Sequence, residues 1–275
     1  MSMIKKWPQF ENQVRRRDMK LLKRLDDFPD AILVAGCQRS GTTMLAKIIA
    51  ESEGLYDFKL GATDACLDAA LILAGSVDHQ RVDRRYCFQT THVDECYPEY
   101  LEHTGDFRML WCLRNPLSVV YSLVYNWSNW GLNTTFMRCG VSELETYDLR
   151  APLMRLLGAR GVSKLHKACM IYNAKVSQIF ELSKRLKCKG LVVVEYDELV
   201  NRKHEVLPKL YDFLEVDYRS EYADKILATS LSKANRLSDY ESETILRLCE
   251  PVYDKARAEY WDTASDRPIW ATEKL

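Results

Sequence analysis

The run AILVAGCQRSGTTMLAKII, residues 31–49, restricts the possible folds more than any other stretch. "AILVA" is a short, unbroken apolar run, the pattern of a strand buried on both faces of a parallel sheet. Gly36 and Gly41 follow, five residues apart. Met44, Leu45, Ile48 and Ile49 then form a stripe at helical spacing, so a helix is expected from Thr42 to about Glu51. Strand, glycine loop and helix in that order is the setting of a phosphate-binding loop, where backbone N–H groups and the positive helix end converge on an anion. The usual loop reads G-x-x-x-x-G-K-[ST], and here Thr42 stands at the lysine position. Arg39, inside the loop, supplies charge instead, and Thr42 and Thr43 add hydroxyl donors. The missing lysine ordinarily reaches the β and γ phosphates, so its absence weakens an ATP-using reading. A structural glycine turn is the other reading of this loop taken alone.

The rest of the chain alternates between helix and strand patterns. A charged amphipathic helix is expected over residues 11–27, with Val14, Leu21, Leu22 and Leu25 as its apolar members. Helical character follows over 64–74, and strands over 84–90 and 107–113. "NPLSVVYSLVYNW" reads as a helix over 115–127, with Asn115 at the N-cap and Pro116 at the first helical position. Residues 128–160 read as irregular, rich in glycine and aromatics. A long helix over 162–187, a strand over 191–196, a helix over 205–214 that Pro208 kinks or opens, and a helix over 239–260 complete the chain. The pattern predicts one α/β domain over 1–275 with a mainly parallel sheet flanked by helices. Residues 1–27 are expected as an appended helix and 128–160 as an insertion.

Composition excludes more than it identifies. Basic and acidic residues number 39 each, so the net charge is zero and no footprint of a nucleic-acid or membrane-surface partner exists. Any anion site must be built locally. The nine cysteines are scattered, with no C-x-x-C pair, which predicts free thiols in a reducing compartment rather than disulfides or metal ligands. No stretch has the apolar core of a signal peptide or the ~18–20 apolar residues of a spanning helix, so a cytoplasmic protein is expected.

A second anion site repeats the first. Arg114 ends a strand, Asn115 and Pro116 open a helix, and Ser118 and Ser122 lie on one face of it. An arginine folded over the helix start and Ser122 can touch one anion. Two such sites predict a ligand with two separated phosphate groups. Arg-Asn-Pro is also an ordinary strand-to-helix turn. Together, "GCQRSGTTML" and "CLRNPLSVVYS" resemble the two signatures of sulfotransferases that use 3′-phosphoadenosine-5′-phosphosulfate (PAPS). With the glycine loop, this implies a three-layer P-loop NTPase-like fold. The resemblance implies that the first loop, Arg39, Ser40, Gly41, Thr42 and Thr43, holds the 5′-phosphosulfate. It implies that Arg114 and Ser122 hold the 3′-phosphate. "VVVEYDELV" is similar to the family's strand ending in Tyr-Glu-Asp, which implies Tyr196 beside the adenine; a half-buried strand-end aromatic is the alternative. Three departures stand out. Many members carry lysine at position 39, Ser118 replaces the usual Asp of the second motif, and the Arg-Lys-Gly segment is absent. "SKANR" (232–236) stands in for that segment, with Lys233 and Arg236 as phosphate contacts.

Sulfuryl transfer needs a base for the acceptor proton and cations at the leaving oxygen, and no metal. Arg39 is the expected cation. His92 follows the strand over 84–90, and the resemblance implies a histidine base about there, although Thr90 replaces the lysine those members carry two residues earlier. His79, His103, His166 and His204 read as surface or capping residues. Asp64 is the reserve base, ahead of Asp94 and Glu95. Tyr121, Tyr125, Trp127, Trp130 and Phe136 are the expected acceptor aromatics, each with core packing as its other reading. The expectation is sulfuryl transfer from PAPS, leaving adenosine 3′,5′-bisphosphate (PAP), to a hydroxyl or amine of a small soluble natural product or sugar. The rivals are an ATP-using P-loop kinase and an inactive nucleotide-binding module. No nucleic-acid or membrane partner is expected.

Overall fold

The computed structural model describes residues 4–61, 64–147, 160–227 and 234–260. Five strands form one all-parallel sheet in the order β2-β3-β1-β4-β5: β1 Ala31–Gly36, β2 Leu55–Tyr56, β3 Arg85–Gln89, β4 Phe107–Leu113 and β5 Gly190–Glu195. The helices are α1 Trp7–Gln13, α2 Thr42–Ala50, α3 Ala65–Leu73, α4 Pro116–Tyr125, α5 Asn129–Thr135, α6 Val141–Tyr147, α7 Lys164–Arg185, α8 Tyr196–Asn201, α9 Lys203–Leu214, α10 Glu221–Asp224 and α11 Asp239–Tyr260.

Strand alternation sorts the core into two layers. Leu33, Met109, Trp111, Leu191 and Val193 face α3, α4, α7 and α11. Ile32, Val34, Leu110, Val192 and Val194 face α2 and α9. The expected three-layer α/β fold is the one observed. Every residue of β1 and β4 is buried, which is why β1 reads as an unbroken apolar run and β4 as one interrupted only by Arg108. β1 is central, with β3 on one side and β4 on the other. The crevice beyond the carboxyl ends of β1 and β4 is where open α/β sheets bind ligands.

Two expectations need correction. The helix over 11–27 is instead a short α1 ending at Gln13, followed by single turns at Arg15–Arg17 and Leu25–Asp27, with Asp18 in the left-handed region at φ 49°. Burial explains the break. Phe10, Val14 and Leu21 pack on Leu67, Ala70 and Leu71 of α3, whereas Leu22, Leu25 and Phe28 enter the sheet's main core. One straight helix cannot serve both clusters. Over 128–147 the stretch is also not irregular: α5, a wider helical turn over Phe136–Gly140 and α6 run in succession, and 148–159 lie outside the described residues. Its glycines are there for close packing, since a Cβ on Gly131 would meet the Trp127 ring at 2.8 Å and one on Gly140 would meet Phe136 at 2.9 Å. Pro208 lies inside α9, which begins at Lys203. All nine cysteines are free, and no described helix is long and apolar enough to cross a membrane.

Gly36 closes β1 against β4. Its φ is +129°, and an added Cβ would lie 2.5 Å from the Cys112 carbonyl oxygen. Gly36→Ala should therefore destabilise the protein by about 2 kcal/mol or more. Urea unfolding monitored by tryptophan fluorescence measures the drop; an unchanged midpoint would contradict this account of the strand ends.

Candidate active site

The loop after β1 carries Arg39 in the left-handed region, φ 72°, and Gly41 at φ 102°. Gly41 has no room for a side chain: a Cβ would lie 2.1 Å from two carbons of the Tyr196 ring. Ser40 is fully buried, and its Oγ donates to the Cys37 carbonyl at 2.6 Å, so its hydroxyl proton ties the loop to itself. At the start of α2, Gln89 Nε2 donates to Thr42 Oγ1 and Thr43 Oγ1, each at 3.0 Å. Both hydroxyls accept from the amide, so their own protons are left to donate to an anion. Gln89 was not expected as a site residue; its only signal in the sequence is that it is the last residue of β3, next to the loop.

Arg114 leaves the end of β4 nearly buried, at 5 % exposure. Its Nε donates to Asp197 Oδ1 at 3.1 Å, and its guanidinium lies 4.4 Å from the centroid of the Tyr196 ring. Tyr172 Oη donates to the Arg114 carbonyl at 2.8 Å and fixes the strand end. Asn115 caps α4 as expected, its side chain accepting from the Leu117 N–H. Ser122, one turn beyond Ser118 on the buried face, accepts from Arg39 Nε at 3.0 Å. The two anion sites therefore meet. Burial and then the Arg114 charge lower the Arg39 pKa, although a guanidinium stays charged near neutrality. Two neighbouring cations with hydroxyl donors around them make a strong anion site.

One cavity of about 770 Å³ joins these groups to a second cluster. Arg39, Gly41, Thr42, Thr43, Gln89, Arg114 and Ser122 line it, as do Trp7, Asp64, Cys66, His92, Trp127, Trp130 and Arg138. His92 is 4 % exposed, and its Nε2 has no hydrogen-bond partner among the described residues. The ring is held by Trp7 and Phe10, with centroids 6.0 and 6.1 Å away. Burial, then the Arg15 and Lys175 charges, put its pKa well below the usual 6.5, so the imidazole is neutral at pH 7. Asp64, the reserve base, is committed elsewhere: Oδ1 caps α3 through the Leu67 N–H, and Oδ2 accepts from Trp7 Nε1 at 2.9 Å.

The segment carrying His92 is set by buried charges. Asp94, 1 % exposed, accepts from Gln38 Nε2 at 2.8 Å, Lys175 Nζ at 3.3 Å and Arg138 at 3.1 Å. Gln38 and Lys175 also donate to the Thr91 carbonyl, at 2.9 and 3.1 Å. Arg138 pairs with Glu11 of α1, and Arg15 pairs with Glu95 at 2.7 Å and donates to the His92 carbonyl. Three acids (Glu11, Asp94, Glu95) face three bases (Arg15, Arg138, Lys175), so the wall is neutral overall. Removing one member of such a buried pair costs about 3–5 kcal/mol, so the loop is rigidly placed. Asp94 and Glu95 are structural anions here, not free bases.

The other expected residues divide. Trp127 and Trp130 line the cavity, whereas Phe136 is core and Tyr125 points to Glu241 of α11. Tyr121 is nearly buried and packs on Tyr125. Tyr196 is closed between Gly41 and Arg114 and is not part of the cavity wall. Arg236 is exposed in a short turn and Lys233 lies outside the described residues. Trp7, Cys66 and Arg138 were not expected, because nothing in the local pattern of the chain's first residues, of α3 or of the turn between α5 and α6 points to a cavity. Among the described residues no His, Cys, Asp and Glu cluster has metal-site geometry.

A sulfotransferase domain model matches residues 29–255. The chain belongs to the sulfotransferase family. Sulfuryl transfer is thus the general chemistry to expect of the chain. Similar solved structures include the sulfotransferase domain from the curacin biosynthetic pathway, at 16% identity, covering 88% of this chain and 94% of that one with a TM-score of 0.46. The mouse sulfotransferase SULT7A1 complexed with PAP is 15% identical, with coverage of 87% and 89% and a TM-score of 0.48. The sulfotransferase from Alicyclobacillus acidocaldarius is also 15% identical, with coverage of 83% and 94% and a TM-score of 0.48. No curated protein sequence matches the chain.

The buried imidazole makes the sulfotransferase fold pH-sensitive. Its folded pKa is depressed, so the unfolded chain binds a proton more readily than the folded one below about pH 6.5. Stability present above that pH should fall as pH drops towards the folded pKa, by at most ~1.4 kcal/mol per pH unit for this group. Urea midpoints from about pH 7 to about pH 5 test this. His92→Gln should flatten the slope, and an equally steep slope in the variant would assign it to another group.

Proposed function

We propose that this sulfotransferase takes the sulfuryl group from PAPS and passes it to a hydroxyl or amine of a small soluble acceptor, with His92 as general base. The observation that carries the reading is one cavity lined both by a two-cation anion site and by a neutral histidine with an unpartnered Nε2. Two cations and the Thr42, Thr43 and Ser122 hydroxyls fit a nucleotide with two phosphate groups. The cavity volume is within the range that holds a nucleotide-sized ligand. In this reading PAPS supplies the transferable group, and the chain's own residues do the rest.

Thr42, Thr43 and the N–H groups at the start of α2 hold the 5′ end, and Arg114 and Ser122 hold the 3′-phosphate. Arg39 lies between them and stabilises charge that builds on the leaving phosphate oxygen, by hydrogen bonding rather than proton transfer, since a guanidinium does not give up its proton. His92 Nε2 takes the acceptor proton as the new S–O or S–N bond forms and the bond to the 5′-phosphate breaks. A low pKa keeps that lone pair free at neutral pH. Trp7, Trp127 and Trp130 give the acceptor apolar, flat surfaces, in keeping with a natural product or sugar. Tyr196 supports Arg114 from below in this scheme. The same reading places the enzyme in the cytoplasm, which nine free thiols support.

Adenosine 3′,5′-bisphosphate without Mg²⁺ should raise the melting temperature, and Arg114→Ala should remove most of that shift. Stabilisation by Mg-ATP alone would overturn the donor assignment in favour of a kinase. Mass spectrometry with PAPS and a panel of hydroxyl and amine acceptors should detect a sulfated product. Tight bisphosphate binding with no product from any acceptor would favour an inactive binding module.

His92→Ala should lower kcat by ~10² or more while bisphosphate affinity is nearly unchanged. Near-normal turnover in that variant would return the base role to a carboxylate.

A further inference from the structure

The two nitrogens of His92 have unequal surroundings. Nε2 is buried with no partner, whereas Nδ1 lies 3.8 Å from Cys66 Sγ. Cys66, the second residue of α3, is itself buried and lies 3.3 Å from Thr91 Oγ1. A histidine that accepts a proton at Nε2 must already carry one at Nδ1, so some group has to favour that tautomer. A carboxylate often does this; among the described residues no carboxylate is at hydrogen-bond distance from Nδ1.

The thiol has one proton and can also accept, weakly, at sulfur. Two arrangements are possible. In the first, Nδ1–H points at the sulfur and S–H points at Thr91 Oγ1, which leaves a lone pair at Nε2. In the second, Thr91 donates to the sulfur and S–H donates to Nδ1, which forces the ring proton onto Nε2. That proton would then be a buried N–H donor without an acceptor, the costlier kind of orphan. Burial pushes the Cys66 thiol up to about 12, so sulfur keeps its proton near neutrality and both donors are present.

We infer that Cys66 is a positioning residue that holds His92 in the Nδ1–H tautomer through the relay His92 Nδ1–H to Cys66 Sγ, Cys66 S–H to Thr91 Oγ1. The catalytic value of this relay rests on His92 being the base, but the tautomer itself does not. The groups facing the ring from neighbouring elements are Cys66 of α3, Arg15 beyond α1, and Lys175 of α7, with Trp7 and Phe10 as its apolar contacts. Neither cation can accept a proton from Nδ1, so only Cys66 among them can set the tautomer.

The test is ¹⁵N NMR of the imidazole nitrogens in the full-length, ligand-free protein, with His92→Gln to assign the signals. Wild type should show His92 with a protonated Nδ1 and an unprotonated Nε2. Cys66→Ala should shift the population towards Nε2–H and lower kcat about tenfold, the value of roughly one hydrogen bond, with the acceptor KM little changed. Cys66→Ser, whose hydroxyl both accepts and donates, should restore the tautomer and most of kcat. A wild-type spectrum with Nε2–H, or a Cys66→Ala protein with unaltered tautomer, would overturn the relay. Failure of the base assignment is read separately, as normal turnover in His92→Ala, and leaves the NMR result standing.

Discussion

Two like charges held side by side at the end of a parallel sheet govern this site. Arg39 follows β1 and Arg114 follows β4, and the register of those strands brings the two guanidinium groups together. The Arg114 charge makes that of Arg39 less favourable. The fold offsets part of that cost with Asp197 on Arg114 and the Tyr196 face beneath it. Burial in turn pushes the Asp197 carboxyl above its usual range, while the Arg114 charge pulls it back. An entering dianion has more to gain here than at either arginine alone. The glycine at 41 and the buried Ser40 are conditions for this arrangement: they let the loop close tightly enough for Tyr196 to lie against it.

The second cluster follows the opposite rule. Around His92 the charges are matched, three against three, and the ring they hold is neutral. Matched buried charges fix geometry without adding a net field. In the proposed reading a neutral wall suits an acceptor of no particular charge. It also leaves the net field of the cavity to the arginine pair.

Much of this was legible before any coordinates. β1, β4 and the cap of α4 follow from apolar runs and from Asn115–Pro116, whose physics is local. The phosphate-loop context was equally plain, since strand, glycines and helix lie within one short stretch. What was not legible depends on contacts across the chain. Nothing local says that Gln89 serves both Thr42 and Thr43, or that Asp64 spends both oxygens on a helix cap and on Trp7. The N-terminal segment misled because Leu21, Leu22 and Leu25 share a helical spacing but belong to two different cores. The glycines at 131 and 140 read as loop signals, whereas they admit ring and helix contacts.

Residues 4–18 precede the part of the chain that matches the family, yet Lys6, Trp7 and Pro8 form part of the cavity wall. They are attached to the rest by side chains: Trp7 to Asp64, Glu11 to Arg138, Arg15 to Glu95, and Phe10 on α3. No strand of the sheet runs through them. The anion end of the cavity is thus written into the sheet, and one wall of the other end into a strap that is pinned by side chains. A change in that strap would reshape one end of the cavity and leave the residues of the sheet's loops at the other end in place.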